Sequence, residues 1–177
     1  MEAFPYIEDT GAWPTMVTLA AAVENELYAS GLPGLCVCTP VPGQTVVLDR
    51  CGQCGGDDEC RGQGWVRWVT EYPSTQFPEP DRTGDGCCAP MAYQLEVGIA
   101  RCVSTGSSNA IGGIQPPTVE SVVLAARQQM ADKAAVARAI NKALTAKDVS
   151  FFLSNAIPMQ ATGDCLGFIW NVTVWDQ

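Results

Sequence analysis

The sequence has no histidine in its 177 residues. That absence excludes Ser-His-Asp and Cys-His catalysis, a histidine general base and a histidine metal ligand. Charged residues are scarce as well, at 16% of the chain, whereas apolar residues make up 47%. Surfaces that poor in charge often lie in subunit contacts. The composition therefore predicts a protein that assembles, and not an enzyme.

Positive charge is also in short supply. Ten Lys and Arg residues stand against nineteen Asp and Glu residues, which gives a net charge of −9. Proteins that hold DNA or RNA tightly carry clustered Lys and Arg to neutralise phosphates. Four basic residues lie on or near one predicted helix, and we interpret them as a solvated helix face and not as a nucleic-acid-binding patch. They are Lys133, Arg138, Lys142 and Lys147. We therefore expect DNA to pass this protein without specific binding.

Long apolar runs are missing too. Residues 1–5 place no basic residue before an apolar segment, so we predict no secretory signal. The longest uncharged apolar stretch, residues 16–23, is far too short to span a membrane. We expect a chain that folds in the cytoplasm without membrane contact.

Two segments have the apolar spacing of amphipathic helices. The first covers residues 14–30, because Pro14 suits a first helical turn and Gly31 an end. Its predicted buried positions are Met16, Leu19, Ala20, Val23 and Leu27, with Glu24 and Glu26 facing solvent. The second covers residues 118–144, with Thr118 as the N-cap. Its predicted buried stripe is Val122, Ala126, Met130, Val136, Ile140 and Leu144.

Alternation of apolar and polar residues predicts strands at 65–72, 93–102 and 165–175. In the first of these, one predicted face carries Val66, Trp68 and Tyr72, and the other carries Trp65, Arg67 and Glu71. Residues 35–39 and 45–49 are predicted to form a hairpin or one interrupted strand. The segment 150–162 has no clear period.

This order of elements predicts an α+β fold in one domain, residues 1–177. We expect a mostly antiparallel sheet of four to five strands, packed against an N-terminal helix and one long helix that cover the same sheet face. The predicted loops are a Cys-rich loop at 51–64 and two long loops at 73–92 and 103–117.

Nine cysteines are the other unusual feature of the composition. The candidates for disulfides or structural thiols are Cys36, Cys38, Cys51, Cys54, Cys60, Cys87, Cys88 and Cys102, with Cys165 apart from them. The pattern leaves disulfides, buried reduced thiols and an all-cysteine zinc site open. Zinc is disfavoured because tetrahedral zinc sites are typically built from two pairs such as C-x-x-C, and the second pair here is a C-x-C in a predicted strand. Among disulfides, one candidate is Cys38 with Cys51, and the others join Cys54 or Cys60 to Cys87 or Cys88. We identify no catalytic, cofactor-binding or metal-binding residue.

Several segments resemble neck proteins of long-tailed phages that infect actinobacteria, and the tail terminator in particular. They are 64–67 (GWVR), 72–73 (YP), 77–81 (FPEPD), 93–102 (YQLEVGIARC) and 129–132 (QMAD). The resemblance implies an N-terminal helix, a sheet, a long helix and a last strand. It also implies a structural virion protein: a hexameric ring in the neck that caps the tail tube and joins it to the head connector or stopper.

The same resemblance carries no active site and implies no cofactor. It makes the loops 73–91 and 104–117 the candidates for contacts with the tail tube and the connector, and it implies assembly in the host cytoplasm. Two alternatives stay open. One is a stopper or connector subunit of the same neck, although the helix at 118–144 argues against such a small β-barrel. The other is a Cys-rich zinc-binding regulatory module.

Overall fold

The computed structural model of the protein describes residues 11–41, 43–48, 61–81, 89–102, 107–108, 114–159 and 165–176. Two helices and seven strands follow one another in these ranges. They are α1 (Ala12–Ala29), β1 (Val37–Val41), β2 (Gln63–Pro73), β3 (Met91–Cys102), β4 (Ser107–Ser108), β5 (Ile114–Gln115), α2 (Val119–Ala146), β6 (Ser150–Pro158) and β7 (Cys165–Asp176). Neither helix is long and apolar enough to cross a membrane.

Five of the strands form one mixed sheet in the order β1-β2-β3-β7-β6. All neighbours in it are antiparallel except β1 and β2, which run parallel. The predicted α+β fold is therefore confirmed. The prediction of a hairpin or one interrupted strand over 35–39 and 45–49 is wrong, because β1 pairs with β2 and residues 45–48 are not in a strand. The ambiguous segment supplies the edge strand β6.

The main core lies between the two helices and one face of the sheet. All five predicted buried positions of α1 are buried, and they belong to one core cluster with the inward side chains of β3 and β7. At the end of α1, Gly31 takes a positive φ of 65°, which suits its predicted role, and the amide of Leu32 donates to the carbonyl of Leu27. Burial of these side chains holds both helices on the same face, as the order of elements predicted.

Strand β2 contains a register shift between Trp68 and Thr70. Side chains alternate between the two faces of a strand, so one extra residue reverses every later side chain. The shift places Glu71 opposite Tyr93 on the helix-covered face, and Tyr72 opposite Ala92 on the other. The predicted assignment of Tyr72 and Glu71 is therefore wrong.

Helix α2 begins where predicted, at the cap Thr118, whose hydroxyl accepts a hydrogen bond from the amide of Ser121 at 3.2 Å. Its C-terminal half is buried as predicted at Val136, Ile140 and Leu144. Its N-terminal half is not: the three predicted buried positions there are exposed, namely Val122, Ala126 and Met130. The sheet supports only the second half of this helix face, because the α2 residues of the core cluster begin at Ala135.

Glu26 is buried and not solvent-facing, which corrects the sequence prediction. It sits between the two helices, where one carboxylate oxygen accepts from Arg138 Nε at 2.7 Å and the other from Lys142 Nζ at 2.7 Å. These hydrogen bonds, Lys142 first, lower the pKa of Glu26. Two members of the predicted basic helix face thus clamp α2 to α1.

We expect the Glu26→Gln variant to lose about 1 kcal/mol of unfolding free energy at pH 7. Because the folded-state pKa is lowered, the carboxylate stabilises the fold fully above its ordinary value of 4.5 and stops doing so as pH falls through the lowered value. Urea unfolding across an acid pH series should show the difference from wild type shrinking on acidification. Glu24→Gln, at an exposed position of the same helix, is the control. A difference that is constant with pH would contradict the clamp.

Candidate interaction surfaces

The predicted structural thiols divide into two chemical states. Cys36 and Cys102 are disulfide-bonded, whereas Cys38 and Cys165 are free thiols. The predicted bond between Cys38 and Cys51 is therefore wrong, since Cys38 points into the core cluster and burial keeps it there as a small apolar side chain. The other candidates, Cys51, Cys54, Cys60, Cys87 and Cys88, lie outside the described residues.

A zinc site built on the C-x-C pair loses one ligand, because Cys36 is engaged in a disulfide and cannot bind metal as a thiolate. Within the described ranges, no three Cys, Asp or Glu side chains come together in a way that could hold a metal ion. The free thiol of Cys38 is also a poor ligand and nucleophile. Burial, with the charge of Glu24 as a smaller cause, raises its pKa to about 12.

A cavity of about 320 Å³ lies between the N-terminal half of α2 and the adjoining ends of β3 and β7. At its base Arg101 and Asp132 form a buried bidentate pair, with Nε and Nη2 of the guanidinium donating to the two carboxylate oxygens at 2.9 Å each. The remaining guanidinium nitrogen donates to the carbonyls of Gly34 and Arg61. The cationic group is therefore fully engaged, and the cavity offers a ligand mostly apolar walls.

The first part of the predicted loop 73–92 is an ordered turn. Tyr72 donates its hydroxyl to the carbonyl of Pro78 at 2.8 Å, and Ser74 donates to that of Glu79 at 2.7 Å. The ring of Phe77 stacks on Trp175, with 5.7 Å between centroids. In the loop 103–117, β4 and β5 form a small antiparallel ladder. Both loops were predicted to contact partners, and that remains a prediction.

One exposed apolar surface is the outer α2 stripe, which we define as Val119, Val122, Val123, Ala126 and Met130. These positions recur every three or four residues, so they share one face of the helix. Four of them are large side chains left 44% to 81% exposed. The same half of the helix is tied to β7 on another side, because Gln129 donates to the carbonyl of Gly167 at 2.7 Å. The stripe is thus held rigidly and left uncovered.

A second apolar surface is a groove of about 570 Å³ at the other side of the molecule. We call it the α1 groove and define it by Trp13, Met16, Pro40, Val41, Trp68 and Glu71. The two indoles on its walls are 43% and 47% exposed. Its acid reaches this position because of the register shift in β2, which turns that side chain to the helix-covered face. Sequence reasoning missed the groove, since the shift has no signal in the alternation of residues.

No known protein family matches the sequence, and no curated protein matches it either. The arrangement of this chain's own surfaces is therefore what supports a function.

Removing one partner of the buried Arg101–Asp132 pair should strongly destabilise the fold. We expect Asp132→Asn to lose about 3–5 kcal/mol of unfolding free energy, because the guanidinium stays buried without its counter-charge. Gln128→Ala is the matched control: it removes only a neutral donor to the same carboxylate, 3.0 Å away, and should lose about 1 kcal/mol. Chemical denaturation measures both. Equal losses from the two variants would show that the pair is not the dominant contact.

The thiol of Cys38 should resist alkylation in the folded protein, because its raised pKa leaves almost no thiolate at pH 8. We expect iodoacetamide to leave Cys38 unmodified in buffer and to modify it in urea, as read by peptide mass mapping. A Thr39→Cys variant, at the exposed next position of β1, supplies a reactive thiol as control. Equal labelling of the two positions in buffer would contradict the burial of Cys38.

Proposed function

We propose that this protein is a structural component of a phage neck, a tail terminator that forms a ring, caps the tail tube and joins it to the head connector or stopper. The observation that carries the proposal is the outer α2 stripe. Five adjacent apolar positions on a rigid, capped helix are left in solvent by the single chain. An apolar helix face is normally buried along its whole length, so another subunit is expected to cover the half that the sheet leaves open.

The arrangement of elements supports the same function. Helix, sheet, long helix and a last strand occur in the order that the resemblance to tail terminators implies, with β6 as an additional strand between α2 and β7. Helix α2, with 28 residues, is the longest element in the described part of the chain. It also speaks against the stopper alternative, which we expected to be a β-barrel with little helix.

The disulfide state supports a site of action outside the cell. Disulfides persist in oxidising surroundings such as the surface of a virion, and they are rare in proteins that stay in the cytoplasm. Cys36 and Cys102 are both in this state. We propose that the chain folds in the host cytoplasm and ends in the virion, at the top of the tail.

Charge supports the passage of DNA. With a net charge of −9, the subunit as a whole repels phosphates. A ring of such subunits would let DNA move through its lumen without adhering, and we expect no sequence-specific nucleic-acid binding. The partners of the ring are the tail-tube protein on one face and the connector or stopper on the other.

The test is disruption of the coding sequence in its genome of origin, with lysates viewed by electron microscopy. A missing terminator should leave full heads without tails, together with tail tubes of uncontrolled length, since nothing stops tube polymerisation. Antibody labelling of intact particles should mark the head–tail junction. Tails of normal length detached from heads would favour the stopper instead. Intact virions, with purified protein that carries stoichiometric zinc, would favour the regulatory module.

A further inference from the structure

The outer α2 stripe and the α1 groove lie at opposite flanks of the subunit. Helix α1 packs on β1 and β2, whereas α2 packs on β7 and β6, and β1 and β6 are the two edges of the sheet. The α1 groove includes side chains of β1, so it belongs to the first flank.

The direction of the stripe follows from the helical turn. The residues of α2 that face α1 include Ala139, Lys142 and Ala146. With about 3.6 residues per turn, the stripe lies on the opposite side of the helix from these residues. It therefore points away from α1, towards the flank that ends in β6.

The two surfaces are complementary in shape and charge. The stripe is a convex helical ridge of aliphatic side chains, and the groove is a concavity with two partly exposed indoles, the kind of side chain that anchors interfaces. Arg127 is exposed beside the stripe, and Glu71 is exposed in the groove. Neither has an ion-pair or hydrogen-bond partner among the described residues.

We propose that the outer α2 stripe of one subunit docks into the α1 groove of a second copy of this chain, with Arg127 pairing to Glu71 across the contact. Each subunit then offers a ridge on one flank and a groove on the other, so the contact repeats head to tail. Such heterologous contacts close into a ring when their rotation allows it. The proposal deepens the proposed function, on which it rests, by assigning the subunit interface of the ring.

Native mass and sedimentation velocity of the full chain test this contact. Wild type should form a closed oligomer. Arg127→Glu and Glu71→Arg should each weaken assembly at least about 10-fold, because each places like charges together. The double variant R127E/E71R should restore assembly, since the pair is re-formed with its charges exchanged. Met130→Asp should abolish assembly, and all these positions are exposed, so circular dichroism should show folded subunits.

Tyr28→Ser is the matched control, because Tyr28 is 87% exposed on α1 and belongs to neither surface. It should assemble like wild type. Glu120 is exposed in the first turn of α2, seven residues before Arg127 and so on the same helix face. If E120R/R127E restored assembly while Glu71→Arg had no effect, two α2 helices would pair antiparallel, and the docking would be overturned. Failure of R127E/E71R to restore assembly, or a wild type that stays monomeric up to about 1 mM, would also overturn it.

These outcomes are separable from those of the function test. An oligomer that survives both single charge changes overturns this interface and leaves tail termination untouched. The opposite combination is that assembly is lost in the single variants and restored in R127E/E71R, while disruption of the coding sequence leaves tail length unchanged. That combination overturns the proposed terminator function and supports the interface.

Discussion

The buried ion pair between Arg101 and Asp132 is the constraint on which the other parts of the molecule depend. It joins β3, in the centre of the sheet, to the point where α2 leaves the core. The same guanidinium holds the carbonyls of Gly34 and Arg61, which flank β1 and β2. A buried ion pair requires this complete set of partners. The free-energy cost of a buried charge without its partner is much larger than the net stabilisation that the intact pair provides. One side chain thereby sets the mutual position of four segments.

That constraint explains how α2 can carry an apolar stripe in water without collapsing onto the sheet. Asp132 fixes the middle of the helix, Gln129 ties it to β7, and the Thr118 cap stabilises its first turn. The outer α2 stripe cannot turn inward, because a rotation of the helix would break the buried pair. Rigid presentation lowers the entropy lost on association, which is the property expected of a subunit interface.

The α1 groove arises from a different cause, the register shift in β2. The shift brings the carboxylate of Glu71 to the face that α1 covers, where Trp68 already lies by ordinary alternation, near Trp13. On the other face, the indole of Trp65 donates to Glu96 at 2.8 Å, and Arg67 pairs with the same carboxylate. Arg67 is therefore paired with Glu96 on that face and does not pair with Glu71. Because Glu71 lies on the opposite face from this arginine, the groove is locally acidic.

Sequence patterns alone determined the class of fold, both helices, three strands and many residues of the main core, because burial follows the 3.6-residue and two-residue periods directly. They did not determine what covers an apolar face. Val122, Ala126 and Met130 have the same spacing as Val136 and Ile140, yet only the latter meet the sheet. The register shift, the clamp on Glu26 and the free state of Cys38 were decided by tertiary packing, since each depends on residues distant in the chain. Periodicity shows which side chains avoid water, and only the packed structure shows whether the chain itself or another subunit shields them.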